Sequence, residues 1–166
     1  MKDVFTFNIP AAIDDVVAAY KTTEFFLATL KHAGAITIDI LDEGALPDEG
    51  HYWKAKITES TRVPEFLRAS DLDIYINESA FDPSAGKLSW KIKPNFSAGR
   101  FNLNGDIAMS ALEDTTQLLY RVNLHSKIPL VRSTAERIGL KKIGEEFKKQ
   151  ADFLTSWVAE KRATSN

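Results

Sequence analysis

Four polar residues fall in step with apolar faces, and with these side chains the sequence could do chemistry. Glu78 lies two residues beyond Ile76, His51 two before Trp53 and Ser126 two beyond Leu124, while Tyr120 sits between Leu118 and Val122. A buried hydroxyl, imidazole or carboxylate needs a partner, which the hydroxyl or carbonyl of a bound molecule could supply. A carboxylate held among apolar groups also has a raised pKa and could act as a general acid or base. The plain alternative for Glu78 and His51 is a strand end outside any interior. Tyr120 is the side chain best placed to touch a ligand. The other histidines, His32 and His125, have no metal-like spacing with His51. No G-x-S-x-G, phosphate-binding glycine loop, H-E-x-x-H or EF-hand pattern occurs. Cysteine is absent, which excludes a thiol nucleophile, a disulfide scaffold, a zinc knuckle and an iron–sulfur site. No cofactor and no metal is implied.

The chain that must position these groups has 166 residues, 44% hydrophobic and 27% charged. That is ordinary for a globular protein, and one domain over residues 1–166 is expected. A domain of this size buries roughly 70% of its unfolded surface, enough for a core without staples. A net charge of −2 argues against a nucleic-acid partner. No apolar run approaches the ~18 residues of a membrane span, and the opening MKDVFTFNIPAAIDD lacks the apolar stretch of a signal peptide. The chain is read as cytoplasmic, so the Asn-x-Ser sequons at Asn77 and Asn95 are chance matches.

Hydrophobic period divides the chain in three. Phe5, Phe7 and Ile9 alternate with polar neighbours as a first strand. Pro10 ends that strand, and Ile13, Val16, Val17 and Tyr20 form one helical face behind Asp14 and Asp15. Thr22 or Thr23 can cap a second short helix through Phe26, Leu27 and Leu30, closed by Gly34. Six period-two segments follow. Their one-sided apolar sets are Ile36/Ile38/Ile40, His51/Trp53/Ala55/Ile57, Leu72/Ile74/Ile76, Leu88/Trp90/Ile92, Phe101/Leu103/Ile107/Met109 and Leu118/Tyr120/Val122/Leu124. Turns are expected in the loop Leu41 to Gly50, in DPSAG, in NFSAG and at Glu113-Asp114. Strands apolar on one face describe an antiparallel meander wetted outside. The helical period then returns. Ser133-Thr134-Ala135-Glu136 reads as a capping box, and Ala135, Ile138, Ile143, Phe147, Ala151, Leu154 and Val158 form one stripe. From Thr134 to Lys161 this helix would be about 42 Å long at ~1.5 Å per residue.

This order of elements resembles the helix-grip fold of the START and plant-allergen-like superfamily, often labelled SRPBCC. Its local marks are the NIPAAIDDVVAAY opening and the KIPLVRSTAERI junction into the last helix. The junction is similar to that of a bacterial branch in which Pro-Leu-Val precedes an acidic residue, here Pro129, Leu130, Val131 and Glu136. That branch carries glycines after the valine, where Arg132 and Ser133 stand here. The resemblance implies an α+β fold: a curved antiparallel sheet of about seven strands, two short helices after the first strand, and a long C-terminal helix across the sheet. It also implies a mostly apolar cavity between sheet and helix.

On that expectation the cavity would be walled by Trp53, Ile57, Ile74, Ile76, Trp90, Ile92, Phe101, Leu103, Ile107, Tyr120 and Val122 of the sheet, with Ile138 and Phe147 of the helix. Glu78, His51, Ser126 and Tyr120 would be its polar contacts. The alternative for each apolar member is ordinary core packing. Gly139 and Gly144 mark either a weak point in the long helix or close packing on the sheet. Lys54, Lys56, Lys87, Lys91 and Lys93 read as an outer face of cross-strand charge pairs around Asp73, an anionic-membrane patch being the alternative. The leading expectation is a binder or carrier of a small apolar molecule (lipid-, sterol- or polyketide-like). The alternatives are a cyclase- or dehydratase-type enzyme and a protein-interaction module with a filled core.

Overall fold

The computed structural model describes residues 1–61, 65–66, 70–93 and 100–165. Along the chain lie β1 (Lys2–Ile9), α1 (Ile13–Tyr20), α2 (Thr23–His32), β2 (Ala35–Leu46), β3 (Gly50–Ser60), β4 (Leu72–Asp82), β5 (Lys87–Lys93), β6 (Phe101–Leu112), β7 (Thr115–Ser126) and α3 (Arg132–Ser165). The seven strands form one antiparallel sheet in the order β1-β7-β6-β5-β4-β3-β2. This is the expected helix-grip arrangement. No helix among the described residues is long and apolar enough to cross a membrane.

Local chemistry accounts for most boundaries. The Thr22 hydroxyl accepts from the Phe25 N–H at 3.1 Å and caps α2, and Gly34 takes φ 105° just after it. The β2–β3 loop is tighter than expected. Strand pairing continues from Ala45↔His51 to Leu46↔Gly50, and the reversal is confined to Pro47, Asp48 and Glu49, the last two at φ 58° and 63°. Skips in the β2–β3 register fall at Ile36 and Leu41, and both side chains face solvent. Ile36 therefore leaves the face of Ile38 and Ile40 that its spacing assigned to it. The turn expected at Asn95 to Gly99 lies outside the described residues.

The largest departure from the sequence reading is the phase of β4. Ile57 pairs with Tyr75, Ala55 with Asn77 and Trp53 with Ser79. Paired residues share a face, so Tyr75, Asn77 and Ser79 turn inward with Trp53 and Ile57. Ile74 is 40% exposed on the outer face beside Leu72, and Ile76 and Glu78 have its parity. These three residues are not cavity walls. Phe81, wholly buried, fixes the parity, and Asp73 follows it inward.

The long helix begins at Arg132, two residues before the expected start, and its opening is not a capping box. Glu136 instead reaches back to β7, accepting from the Ser126 N–H at 3.0 Å and from Arg132 Nε at 3.0 Å. Further along, α3 lies over β7 and β1. A Cβ on Gly139 would come within 2.6 Å of Leu124 Cδ2, and one on Gly144 within 2.5 Å of Phe5 Cε1. Both glycines are thus close-packing positions. The main core of Ile9, Val16, Leu118, Tyr120, Leu154 and their neighbours fills this side. A second cluster, Ala55, Ile57 and Tyr75, packs beneath Phe26 and Leu30 of α2.

Candidate ligand cavity

Because α3 is drawn onto β7 and β1, the space under α2 and over β3 to β6 is left unfilled. A cavity of about 260 Å³ lies there. Its sheet wall includes Trp53, Leu88, Trp90, Ile92, Phe101, Leu103 and Ile107; its roof includes Phe25, Phe26 and Leu30 from α2, with Ala135, Ile138, Ile143 and Phe147 from α3. Lys142, Glu146 and Gln150 follow one another along α3 at the same cavity, four residues apart.

The aromatic walls are held by specific contacts. Trp53 stacks on Phe26 with centroids 4.9 Å apart, and its indole N–H donates to Thr23 Oγ1 at 2.9 Å. Trp90 lies across Gly105, where a Cβ would sit 2.7 Å from the indole ring. Phe147 meets Trp90 edge-on at 6.2 Å. Trp90 is nonetheless only half-buried, so indole surface is left for a ligand.

The sheet's polar contribution comes from β3 and β4, through residues that the sequence reading did not select. The Tyr75 hydroxyl donates to Glu59 Oε2 at 3.3 Å, and the Ser79 hydroxyl donates to Asn77 Oδ1 at 2.6 Å. All four line the cavity. Reading β4 by the parity of Phe81 rather than of Ile74 would have placed Tyr75, Asn77 and Ser79 there.

Trp53, Trp90, Ile92, Phe101, Leu103, Ile107, Ile138 and Phe147 were expected at the cavity and line it. Ile57 and Val122 are buried in packed core and do not. Tyr120 is also wholly buried, against Phe7 at 5.5 Å and Phe147 at 4.6 Å, and is not among the lining residues. Burial pushes its hydroxyl well above the usual phenol range, with Tyr20 facing it adding to the shift. Burial likewise pushes Tyr20 up to about 12. Ile74 and Ile76 point away. Glu78 binds Lys93 and Lys91 on the outer face, and the Lys93 hydrogen bond first among these contacts holds its carboxyl below the usual range. It is therefore no raised-pKa acid.

His51 packs on Trp53 at 4.7 Å and its Nε2 lies 3.3 Å from Glu43, outside the cavity lining. Ser126 is committed to its own backbone: its hydroxyl accepts from the Ile128 N–H at 3.2 Å. His32 stacks on Phe153, and His125 meets Arg132, so the histidines stand apart. The outer charge pairs include Asp106 with Lys87 and Arg121, whereas Asp73 is buried inside.

A family model described as "Protein of unknown function (DUF2505)" matches residues 5–158. The chain belongs to the DUF2505 family. No curated protein matches the sequence. Among solved structures, this DUF2505 chain is similar to the Zhui aromatase/cyclase from a Streptomyces species, at TM-score 0.71 and 12% identity over 96% of this chain and 93% of that one. Norcoclaurine synthase from Thalictrum flavum gives TM-score 0.66 and 15% identity, covering 96% and 87%. A START superfamily protein from Mycobacterium smegmatis gives TM-score 0.64 and 12% identity, covering 96% and 97%. At such identities the likeness shows the fold, which is START-like and helix-grip.

Proposed function

We propose that this DUF2505 protein binds a small, mostly apolar molecule in the cavity between β3–β6, α2 and α3. One observation carries the reading: an aromatic-walled space of about 260 Å³ in which Trp90 keeps indole surface uncovered. Ligand cavities run from roughly 300 Å³ upward, and a void of roughly 150 Å³ accommodates benzene. A filled-core interaction module has no use for such a space. The test is uptake of an anilinonaphthalene sulfonate dye, read by fluorescence, together with native mass spectrometry of the freshly purified chain. Wild type is expected to take up about one dye per chain. Ile138→Trp, which fills the cavity from α3, is expected to abolish uptake while circular dichroism stays unchanged. Undiminished uptake by the folded variant would count against the cavity.

A second reading, cyclase- or dehydratase-type chemistry on such a molecule, is favoured by the Tyr75–Glu59 hydrogen bond at the cavity wall. A phenol and a carboxylate joined there are able to relay a proton. Two of the similar structures are described as an aromatase/cyclase and a synthase, which supports keeping this reading beside the first. Loss of turnover in Glu59→Gln with dye uptake retained, once a substrate is found, would favour the enzyme.

A further inference from the structure

We propose that the sheet wall of the cavity carries a donor pair, the Asn77 amide NH2 and the Trp90 indole N–H, which binds an uncharged carbonyl oxygen of the ligand. The proposal rests on the ligand-binding reading and deepens it. It names one group that the apolar ligand carries and leaves the ligand's size open.

Most polar side chains at the cavity are already engaged. Glu59 and Tyr75 bind each other and hold further contacts besides. On α3, Lys142 and Glu146 likewise have interactions of their own. Tyr20 faces Tyr120, and the Thr29 hydroxyl is sealed within the roof, beyond a ligand's reach. Gln150 lines the space too, but its amide both donates and accepts, so it selects neither kind of partner.

Asn77 and Trp90 differ. The Ser79 hydroxyl donates to Asn77 Oδ1 at 2.6 Å, which fixes the amide and leaves its NH2 without a partner among the described residues. Trp53 spends its indole N–H on Thr23, whereas that of Trp90 has no partner among the described residues. Both side chains line the cavity and neither residue is fully buried. Strand register brings them together. Ser79 pairs with Trp90 and Asn77 with Ile92, so Asn77 and Trp90 are diagonal neighbours on one face. Such neighbours stand about 7–8 Å apart, a gap that aromatic and long side chains span. Both groups only donate, and a carbonyl oxygen has two lone pairs to take both. The carboxylates of Glu59 and Glu146 line the same cavity as the Lys142 ammonium, and they oppose a third carboxylate on the ligand. A ketone, ester or amide fits the pair.

The experiment measures, by equilibrium dialysis of the full chain, the Kd of 2-acetylnaphthalene and of 2-isopropenylnaphthalene. The two have the same shape and differ only in C=O against C=CH2. A carbonyl moved from water into an apolar space without donors is penalised, by about tenfold in Kd or more. With the donor pair in place, wild type is expected to bind the ketone within about threefold of the alkene. Asn77→Asp keeps the acceptor for Ser79 and removes the donors; Trp90→Phe keeps an aromatic wall and removes the N–H. Each is expected to weaken the ketone several-fold relative to the alkene, with folding checked by circular dichroism. A wider gap in the alkene's favour in wild type overturns the proposal without needing either variant. A ketone-to-alkene ratio left unchanged in either folded variant also overturns it. Binding of neither probe overturns it too, and dye uptake by the same sample then shows whether the cavity reading falls with it.

Discussion

Glu136 joins the start of α3 to the end of β7. Its Oε1 accepts from the Ser126 N–H and Arg132 Nε, its Oε2 lies 3.3 Å from the Met1 amino nitrogen, and His125 Nδ1 is 3.8 Å away. The Ser126 N–H, with Arg132 and the amino group behind it, holds the carboxyl down at about 2, against an ordinary 4.5. A depressed folded pKa gives stability that is complete above the ordinary value and is lost as pH falls towards the folded one. The urea midpoint of wild type is therefore expected to decline between pH 4.5 and about 2. Glu136→Ala is expected to flatten the part of that decline due to this group and to cost about 1–3 kcal/mol at neutral pH, by stranding the Ser126 N–H. A pH series of urea titrations on both proteins checks this. The sequence marked Glu136 as a cap residue but not its partner, because a contact to a strand ten residues earlier has no periodic signature. Glu59, Asn77 and Ser79 were missed for a different reason. Sidedness was judged from apolar residues alone, and a cavity wall is one place where polar side chains turn inward.

At the scale of elements, the order of strands and helices was legible because each changes hydrophobic period, and periods of 2 and 3.6 are set by backbone geometry. The phase of β4 was not. Both of its faces carry large apolar groups, Ile74 and Ile76 on one and Tyr75 and Phe81 on the other, so alternation alone permits either assignment. Only pairing with β3 decides it. The glycines of α3 had two readings in the sequence, and contact distances choose the one in which a bare backbone lets the helix settle on β7 and β1. Alanine there gains up to about 1 kcal/mol of helix propensity but must displace a neighbour, at a typical overpacking cost of 1–3 kcal/mol. Gly139→Ala meets the buried Leu124 and is expected to be net destabilising by about 1–2 kcal/mol. Gly144→Ala meets the half-buried Phe5, which has more room to yield, and is expected to cost less. Chemical denaturation of the two variants checks the sign and the ranking.

At the scale of the whole molecule, one long helix cannot cover both halves of a seven-stranded sheet. Here it covers β7 and β1, while the shorter α2 stands over the opposite end. Occupancy of the proposed cavity would add to global stability by mass action. A probe at a hundredfold excess over its Kd adds about 2.7 kcal/mol to the folded state. For a chain of this size that is a rise in melting temperature of roughly 5–10 °C, read by differential scanning calorimetry and expected to vanish in Ile138→Trp. The same division should be written in the amide protons. β7 sits between two strands beneath the long helix, so its N–H groups are expected to exchange with deuterium only through global unfolding. β2 is an edge with two bulges, and its protons are expected to exchange through local breathing at far lower energy. On that expectation the molecule has a slow half and a fast half, with the cavity at the seam between them. A guest of the proposed cavity would then come and go by loosening α2 and β2 while the rest of the sheet keeps its protons.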